Sequence, residues 1–428
     1  GYLMLSAGAG LIQTNLAPLG TFIETGFHIQ GVVPNNEVIV SMAQTVLGVQ
    51  TMVILILGYV VNILIARFTK FKYIFLTGHH SLFMACLLSA VLQASGFTDV
   101  PLVITGGLFL GLVSAMLPAV GQHFTEKVTE GDEIAMGHFG SLAYYIPLRG
   151  SIFKKDAEEN STEKIEVPES LSFLRDTTIS TGLTMAFFYL LTGIVAWVAD
   201  PAVVDELAGG DNFIVYALTC ALSFAVGVTI VYNGVRMILA DLVPAFQGIS
   251  NKLIPGAIPA VDCAVFFPYA PTAVILGFVA SFIGGVVGMF IVGATMGVFI
   301  IPGMVPHFFC GATAGIFGNA TGGRKGAALG AFVNGLLITF VAGPSLLPFL
   351  GVFGFQNTTF GDFDFGVIGI TLGRTAAAFG PTGVYVILAI LLVVAFIPNF
   401  IKTKSPVINH TPEEESKTPL LHPRPLRG

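Results

Sequence analysis

The sequence predicts an all-α polytopic membrane protein, and three of its features indicate this class. Hydrophobic residues make up 54% of the 428-residue chain and charged residues only 10%, whereas soluble domains carry about 25% charged residues. Gly is abundant, at 51 residues, as is common where membrane helices pack closely. Apolar runs long enough for a helix to cross the hydrocarbon, roughly 20 residues, recur along the chain. A soluble fold could not cover so much apolar surface.

The apolar runs divide into continuous spans and stretches that Gly and Pro interrupt. The predicted spans are residues 38–66, 73–94, 100–120, 177–198, 213–239, 270–301, 327–350 and 380–397. The interrupted stretches are residues 1–27, 134–148, 254–269, 301–318 and 363–379, and we expect them to form discontinuous helices or re-entrant hairpins. Irregular backbone survives at membrane depth only where protein or a water-filled cavity satisfies it. In transporters such breaks mark the binding site.

Lys and Arg predict the orientation of the chain in the membrane. Basic residues cluster in residues 67–72, in the loop 149–176 and directly after the last span, whereas residues 95–98 and 200–212 contain no Lys or Arg. Because cytoplasmic loops carry the excess of Lys and Arg, we place the basic segments and the C-terminus in the cytoplasm. The polar, Pro-rich tail, residues 401–428, is expected to be disordered.

Three ionisable residues in or beside the apolar stretches are candidates for a binding site. A charge inside a span costs roughly 2.5–3.5 kcal/mol on insertion scales, so such residues face protein or a cavity. His79 lies early in a span, His138 lies between two glycines, and Asp262 follows a stretch with two prolines. Imidazole and carboxylate groups suit a hydroxyl-rich solute. A helix–helix hydrogen bond or a helix cap remains the alternative role for each of them.

Several signatures of other functions do not occur in the sequence. There is no Walker A loop, no His-Glu-x-x-His zinc pattern and no Gly-x-Ser-x-Gly elbow. The four cysteines show no metal-ligand spacing, and we interpret them as small buried hydrophobic residues. The net charge of −6 says little, because most of the acidic excess lies in two polar segments and not in a surface for a nucleic acid or a substrate. We therefore predict neither a cofactor nor a metal, and no nucleic-acid partner.

Motifs within the interrupted stretches carry a family resemblance. They include Leu76-Thr77-Gly78-His79, Met136-Gly137-His138, Asn233-Gly234-Val235-Arg236-Met237, Asp262-Cys263-Ala264, Ile301-Pro302-Gly303 and Gly322-Gly323. In order and separation these motifs resemble the ascorbate-type IIC permease component of the bacterial phosphotransferase system. The resemblance runs from Gly1 to about residue 397.

The resemblance implies a two-domain, elevator-type permease in the bacterial inner membrane. It implies a homodimer in which each protomer joins a substrate-carrying core to a V-shaped scaffold. Residues 1–400 would form this membrane domain, with about fifty family residues missing before Gly1. Cytoplasmic IIB and IIA proteins would supply the phosphate, so the chain itself is expected to be a transporter subunit and not an enzyme.

The resemblance also assigns residues to the solute site. His79, His138 and Asp262 fall on family positions that hydrogen-bond ascorbate, and Gly8 on one that contributes its backbone. Ser6 and Thr77 are weaker additions. Phe83 and Phe139 occupy two positions where the family has Gln, which removes two amides from the site. The expected solute is therefore L-ascorbate or a related small hydroxylated compound.

Two other functions remain open at the level of the sequence. An ion-coupled secondary transporter of a small polar solute would need a coupling carboxylate, and Asp262 is the only good candidate for it in the sequence. A membrane-embedded enzyme would need a catalytic pair, such as His138 with Asp262.

Overall fold

The computed structural model describes residues 2–28, 32–34, 48–145, 159–165, 177–296, 299–302, 304–342 and 361–400. Helices dominate these ranges. They are α1 (Tyr2–Phe27), α2 (Gly48–Phe68), α3 (Gly78–Ala94), α4 (Asp99–Thr129), α5 (Ser141–Tyr145), α6 (Thr177–Ala199), α7 (Pro201–Leu207), α8 (Phe213–Leu253), α9 (Pro271–Met296), α10 (Met304–Ala342) and α11 (Phe363–Phe400). Short 3-10 helices cover Thr162–Lys164 and Cys263–Tyr269. The predicted disordered tail and most of the loop 149–176 lie outside the described residues.

Five stretches of the described chain are long and apolar enough to cross a membrane. They are α2, α4, α9, α11 and the segment Phe213–Ile230 of α8. These stretches confirm the prediction of an α-helical membrane protein. Helices suit a bilayer because they satisfy their own backbone hydrogen bonds.

Several predicted segments differ from the structure, and residues 1–27 and 73–94 are two of them. Residues 1–27 were expected to be broken, but α1 is one continuous helix that contains Pro18. Helices in membranes tolerate an interior Pro when neighbouring groups satisfy the freed carbonyl. Residues 73–94 were expected to form one span, but strand β2 (Tyr73–Phe75) precedes the shorter helix α3. A strand of three residues has too few positions for its periodicity to be visible in an apolar run.

Glycines divide α10 and α11 into two arms each. Gly323 has φ 61° and ψ −152°, and Gly380 has φ 63° and ψ −163°. Residues with a Cβ avoid this backbone region. Within α10, a Cβ on Gly318 would meet the carbonyl of Gly326 in the opposite arm. The two arms therefore pack as a hairpin that turns at Gly323, whereas the sequence had placed the irregularity over residues 301–318.

Small residues also join α9 to α10. A Cβ on Gly277 would lie 2.5 Å from the carbonyl oxygen of Gly311 and 2.9 Å from the Cα of Gly315. Such contacts bring helix backbones together, and in lipid they replace the hydrophobic driving force that helices have in water. The α9–α10 pair is thus held by backbone proximity.

The polar segment 159–165 is attached to the turn of the α10 hairpin. Arg324 donates hydrogen bonds to the carbonyl oxygens of Ser161, at 3.3 Å, and Lys164, at 3.1 Å. The Glu163 carboxylate accepts from the backbone amides of Thr272 and Ala273 at the start of α9. A carboxylate there stabilises the helix N-terminus. The segment therefore ties the hairpin turn to α9.

The C-terminal end of α11 lies beside the first basic loop. The Asn399 side chain accepts a hydrogen bond from the Lys70 amide and donates one to the Phe68 carbonyl. The Lys72 ammonium donates to the Ala66 carbonyl at the end of α2, and burial together with nearby Arg67 lowers the Lys72 pKa. The basic loop and the end of α11 thus share one end of the molecule.

Two sets of short parallel strands complete the fold. Strand β1 (Val32–Pro34) pairs with β5 (Phe299–Ile301). Strand β4 (Ile258–Val261) lies between β2 and β3 (Ala135–Met136), with Phe75 and Ala135 both opposite Ala260. The interrupted stretches 134–148 and 254–269 thus enter this small sheet, which the sequence did not predict.

Candidate solute site

The three-stranded sheet brings the three main candidate residues to one edge. All its strands run parallel, so their carboxyl ends meet on the same side. Asp262 directly follows β4, His138 follows β3 by two residues, and His79 is the second residue of α3, the helix after β2. The sheet is therefore the structural reason that residues distant in sequence become neighbours.

Two backbone hydrogen bonds extend the sheet beyond its strands. The Leu76 amide donates to the Ala260 carbonyl at 2.8 Å, and the Gly137 amide donates to the Val261 carbonyl at 2.7 Å. A Cβ on Gly137 would collide with the Ala260 carbonyl. The glycine before His138 thus allows the close approach of β3 to β4 that positions the imidazole.

His79 and Asp262 form an open pair. Nε2 of His79 lies 3.5 Å from Oδ2 of Asp262, and the two side chains are 36% and 19% exposed. This distance exceeds that of a good N–H···O hydrogen bond. The pair therefore retains hydrogen-bonding capacity for a solute or a bridging water.

His138 is held more tightly than His79. Its Nδ1 lies 2.8 Å from the Tyr144 hydroxyl, its side chain is buried, and its ring centroid is 3.8 Å from that of His80. A Cβ on Gly140 would lie within 3.1 Å of the Tyr144 hydroxyl, the His138 Nδ1 and the Cys310 sulfur. These three polar groups converge because position 140 has no side chain.

His80 and Asp362 belong to the same cluster, and the sequence analysis missed both. The Phe139 amide donates to Nδ1 of His80 at 3.3 Å, so a neutral His80 carries its proton on Nε2. That Nε2 lies 3.7 Å from Oδ2 of Asp362. The available signals were the His79-His80 doublet and the two carboxylates of Gly361-Asp362-Phe363-Asp364 at the start of an apolar run.

Asp364 has a structural role next to this cluster. It is fully buried, and its carboxylate accepts hydrogen bonds from the Ser141 hydroxyl and the Leu142 amide, each at 3.1 Å. These donors start the short helix α5. Asp364 therefore fixes the segment that carries His138 and Tyr144.

The two phenylalanines at the family Gln positions have different surroundings. The Phe83 ring is half-buried and packs edge-on against His79, with centroids 5.6 Å apart. Phe139 is fully buried and stacks on Phe75 at 4.7 Å with an interplanar angle of 19°. Phe83 is thus the aromatic residue beside the open His79–Asp262 pair, whereas the Phe139 ring belongs to the packed interior.

The remaining candidates are Thr77, Gly8 and Ser6. Thr77 is buried, and within the described residues its hydroxyl has no hydrogen-bond partner. Gly8 is buried on α1, which packs chiefly on α6 and α8. The Ser6 side chain lies outside the described part of the chain.

The cluster contains donor atoms that could approach a metal ion. In each of the sets His79–His80–Asp262, His80–His138–Asp362 and His138–Asp262–Cys263, one donor atom per residue lies within 4.8 Å of the others. In the two sets that contain His80, the proton on Nε2 makes that nitrogen a hydrogen-bond donor and not a ligand. The arrangement suits hydrogen bonding to a polar solute.

The described residues thus form a helical fold with membrane-spanning segments around a cluster of imidazoles and carboxylates. The family described as "PTS system sugar-specific permease component" (EIIC-GAT) matches residues 1–364, and the chain belongs to this family. The members of this family are described as sugar-specific permease components.

A curated relative gives a more specific likeness. The chain is 27% identical over 320 residues to the "Ascorbate-specific PTS system EIIC component" of Mycoplasma pneumoniae. The match covers 64% of this chain and 48% of that protein. The chain thus spans about half the length of the curated relative that it matches.

Proposed function

We propose that this chain binds and translocates a small hydroxylated solute as the permease component of a phosphoenolpyruvate-dependent phosphotransferase system. A phosphorylated cytoplasmic IIB protein, recharged through IIA, would phosphorylate the solute during uptake. The observation that carries the proposal is the convergence of His79, His138 and Asp262 beyond one edge of the β2–β4–β3 sheet.

The chemistry of these residues supports a hydroxylated solute. An imidazole both donates and accepts hydrogen bonds, and a carboxylate accepts two hydroxyl groups at once. The open His79–Asp262 pair offers both kinds of group at partly exposed positions. Phe83 beside it offers a ring face or edge for the apolar side of a sugar-like molecule.

L-Ascorbate is the first solute to test, since the Mycoplasma pneumoniae relative is described as ascorbate-specific. Phe83 and Phe139 occupy the family Gln positions in this chain. A related hydroxylated solute is therefore as good a candidate as L-ascorbate. The elevator motion of a core against a V-shaped scaffold, the homodimer, the cytoplasmic C-terminus and the contact with IIB belong to the same proposal.

The deciding experiment is uptake by cells that express the full-length protein, with labelled L-ascorbate and a panel of sugars and polyols. The matched comparison is between cells with IIB and cells whose IIB lacks its phosphorylated Cys. Uptake that requires active IIB and yields phosphorylated solute supports the proposal. Uptake without IIB that a proton or sodium ionophore abolishes favours the secondary transporter instead. Chemical conversion of a solute without net uptake favours the membrane-embedded enzyme.

A further inference from the structure

We propose that Tyr144 and Cys310 are positioning residues that connect Asp362 to His138 through one chain of hydrogen bonds, and that this chain makes Nε2 of His138 an acceptor for a solute hydroxyl. The proposal rests on the function proposed above and deepens it, because it states which hydrogens the site presents to a solute. The four residues come from the segment after β3, from α5, from α10 and from the stretch before α11.

The chain consists of three contacts. Nδ1 of His138 lies 2.8 Å from the Tyr144 hydroxyl oxygen. The Tyr144 side chain is hydrogen-bonded to Cys310, and the Cys310 thiol donates to Oδ1 of Asp362 at 2.8 Å. A Cβ on Gly140 would lie within 3.1 Å of the first three of these groups. The absence of a side chain at position 140 therefore gives them the room to meet.

The number of hydrogens on each group determines the direction of the chain when Asp362 is ionised. A carboxylate only accepts, whereas a thiol, a phenol and a neutral imidazole each carry one polar hydrogen. The Cys310 thiol uses its hydrogen on Asp362, so its sulfur accepts from the Tyr144 hydroxyl. Because the hydrogen of Tyr144 is then used, its oxygen accepts from Nδ1–H of His138. A neutral His138 in this tautomer has a free lone pair on Nε2.

Nε2 of His138 is the nitrogen that remains for a solute. Within the described residues the hydrogen bond of this ring is made by Nδ1. A ring nitrogen of His138 and a carboxylate oxygen of Asp262 lie within 4.8 Å of each other. Two acceptors so close together suit a solute that donates from neighbouring hydroxyl groups. The tautomer of His138 therefore decides how well the site matches a hydroxylated solute.

Protonation of Asp362 reverses the chain. Burial raises the pKa of this carboxyl to about 7, so both of its forms occur near neutral pH. The protonated carboxyl donates to the Cys310 sulfur, the thiol donates to Tyr144, and the Tyr144 hydroxyl donates to Nδ1 of His138. The ring stays neutral with its hydrogen on Nε2. The balance is one proton, which enters at Nε2 from water in the site while each group passes its hydrogen on towards Asp362.

Other titratable groups face Asp362 from three sides. They are His80 on α3, Asp262 and Cys263 after β4, and Asp364 on α11. Nε2 of His80 lies 3.7 Å from Oδ2 of Asp362, the oxygen that the chain does not use. The Asp262 carboxylate favours a hydrogen on Nε2 of His138, but within the described residues it makes no hydrogen bond to that ring. The contact with Tyr144 at 2.8 Å is the stronger influence on the tautomer.

The test reads the tautomer of His138 directly. Nitrogen-15 NMR of the histidine-labelled full-length protein in liposomes distinguishes protonated from unprotonated ring nitrogens, and His138→Gln identifies the signals. At pH about 9, where Asp362 is ionised, we expect the parent to carry the hydrogen on Nδ1. Tyr144→Phe and Cys310→Ala each interrupt the chain and should give a mixture of tautomers. Cys310→Ser keeps a donor and an acceptor and should keep the tautomer of the parent.

The same variants are compared for affinity, with L-ascorbate and the sugar and polyol panel as probes. We expect the probe that binds the parent best to lose about tenfold in affinity in Tyr144→Phe and Cys310→Ala, and less than about twofold in Cys310→Ser. Tyr145→Phe is the matched control, because it removes the hydroxyl of the next residue, which is also a buried tyrosine. It should leave the tautomer and the affinity unchanged.

A second measurement follows the tautomer of the parent from pH about 9 to about 6. Burial lowers the pKa of His138 to about 4, so the ring stays neutral over this range. We expect the hydrogen to move from Nδ1 to Nε2 as the pH falls through about 7, the pKa of Asp362. Tyr144→Phe should not show this change, because its chain is interrupted.

The outcomes separate this inference from the proposed function. If Tyr144→Phe keeps the tautomer of the parent, or if Cys310→Ser behaves like Cys310→Ala, the chain does not position His138 and the proposed function stands. A tautomer that does not change with pH in the parent removes Asp362 from the chain. Tautomers that respond as expected, in a protein that binds none of the probes, support the chain but overturn its role towards a solute together with the proposed function.

Discussion

Nε2 of His79 and Oδ2 of Asp262 lie 3.5 Å apart, although the two residues come from opposite halves of the chain. The parallel pairing of β2 with β4 brings them together, because it places the residues after each strand at the same edge. The distance is longer than a good hydrogen bond, so both groups keep hydrogen-bonding capacity for a solute. The fold therefore positions both side chains of this pair and leaves them partly exposed to a solute.

Replacement of the Asp262 carboxylate tests its role in binding. Asp262→Asn keeps the shape of the side chain but removes the charge that strengthens hydrogen bonds to hydroxyl groups. We expect about a 10- to 100-fold loss of solute affinity with little change in thermal stability, because the side chain is partly exposed. Titration calorimetry and a thermal melt in detergent measure the two quantities. Undiminished affinity would remove Asp262 from the site.

His138 should show a different pattern from His79, because its imidazole also supports the interior. His138→Ala leaves the Tyr144 hydroxyl without the partner seen at 2.8 Å and opens a cavity. We expect a loss of about 1–3 kcal/mol in the free energy of unfolding in addition to lost binding. His79→Ala, at a position that is 36% exposed, should lose binding alone. Equal melting temperatures for the two variants would contradict this distinction.

Replacing Phe83 or Phe139 by Gln tests whether these two phenylalanines, at the family Gln positions, have different roles. Phe83→Gln places donors and an acceptor beside His79 and should change solute affinity or preference at unchanged stability. Phe139→Gln inserts an amide where the ring stacks on Phe75. We expect it to cost about 3–5 kcal/mol. Melting temperatures and the uptake panel measure the difference, and Phe83→Leu serves as the control for ring loss without a new amide.

The turn of the α10 hairpin depends on the backbone of Gly323. Gly323→Ala places a Cβ at φ 61° and ψ −152°, a conformation that costs of order 1–3 kcal/mol for a residue with a side chain. Gly330→Ala is the matched control, because its Cβ would meet only ordinary contacts of 3.5 Å and 3.8 Å in the opposite arm. A lower melting temperature is expected for the first variant only. Equal melting temperatures would show that the turn relaxes without strain.

The attachment of segment 159–165 to the hairpin can be followed by hydrogen exchange. Arg324→Gln shortens the side chain that donates to the Ser161 and Lys164 carbonyls. We expect exchange in this segment to speed up about fivefold or more, since each such bond stabilises by about 1 kcal/mol. Lys164→Gln, which changes an exposed side chain and leaves its carbonyl in place, should exchange like the parent. Unchanged rates in Arg324→Gln would place the attachment elsewhere, with Glu163 as the next residue to test.

The three main residues of the proposed site could be selected from the sequence. His79, His138 and Asp262 stand out because ionisable groups among apolar residues are costly and need partners. The burial of His80 and the openness of Asp362 were not visible, because adjacent histidines or nearby aspartates look alike until their surroundings are known. Asp362 and Asp364 illustrate this point: one faces the imidazole cluster and the other caps a helix.

The amino-acid sequence is sufficient to identify an α-helical membrane protein and its resemblance to a permease family. Its apolar content and recurrent long apolar runs leave a bilayer as the suitable solvent. Glycines interrupt α10 and α11, at Gly323 and Gly380, whereas Pro18 does not interrupt α1. Only the tertiary structure decided which broken segments meet. Parallel strands of two to four residues, Ala135–Met136 and Ile258–Val261 among them, have no periodicity to detect. Their pairing depends on contacts between segments far apart along the chain, and this pairing assembles the site.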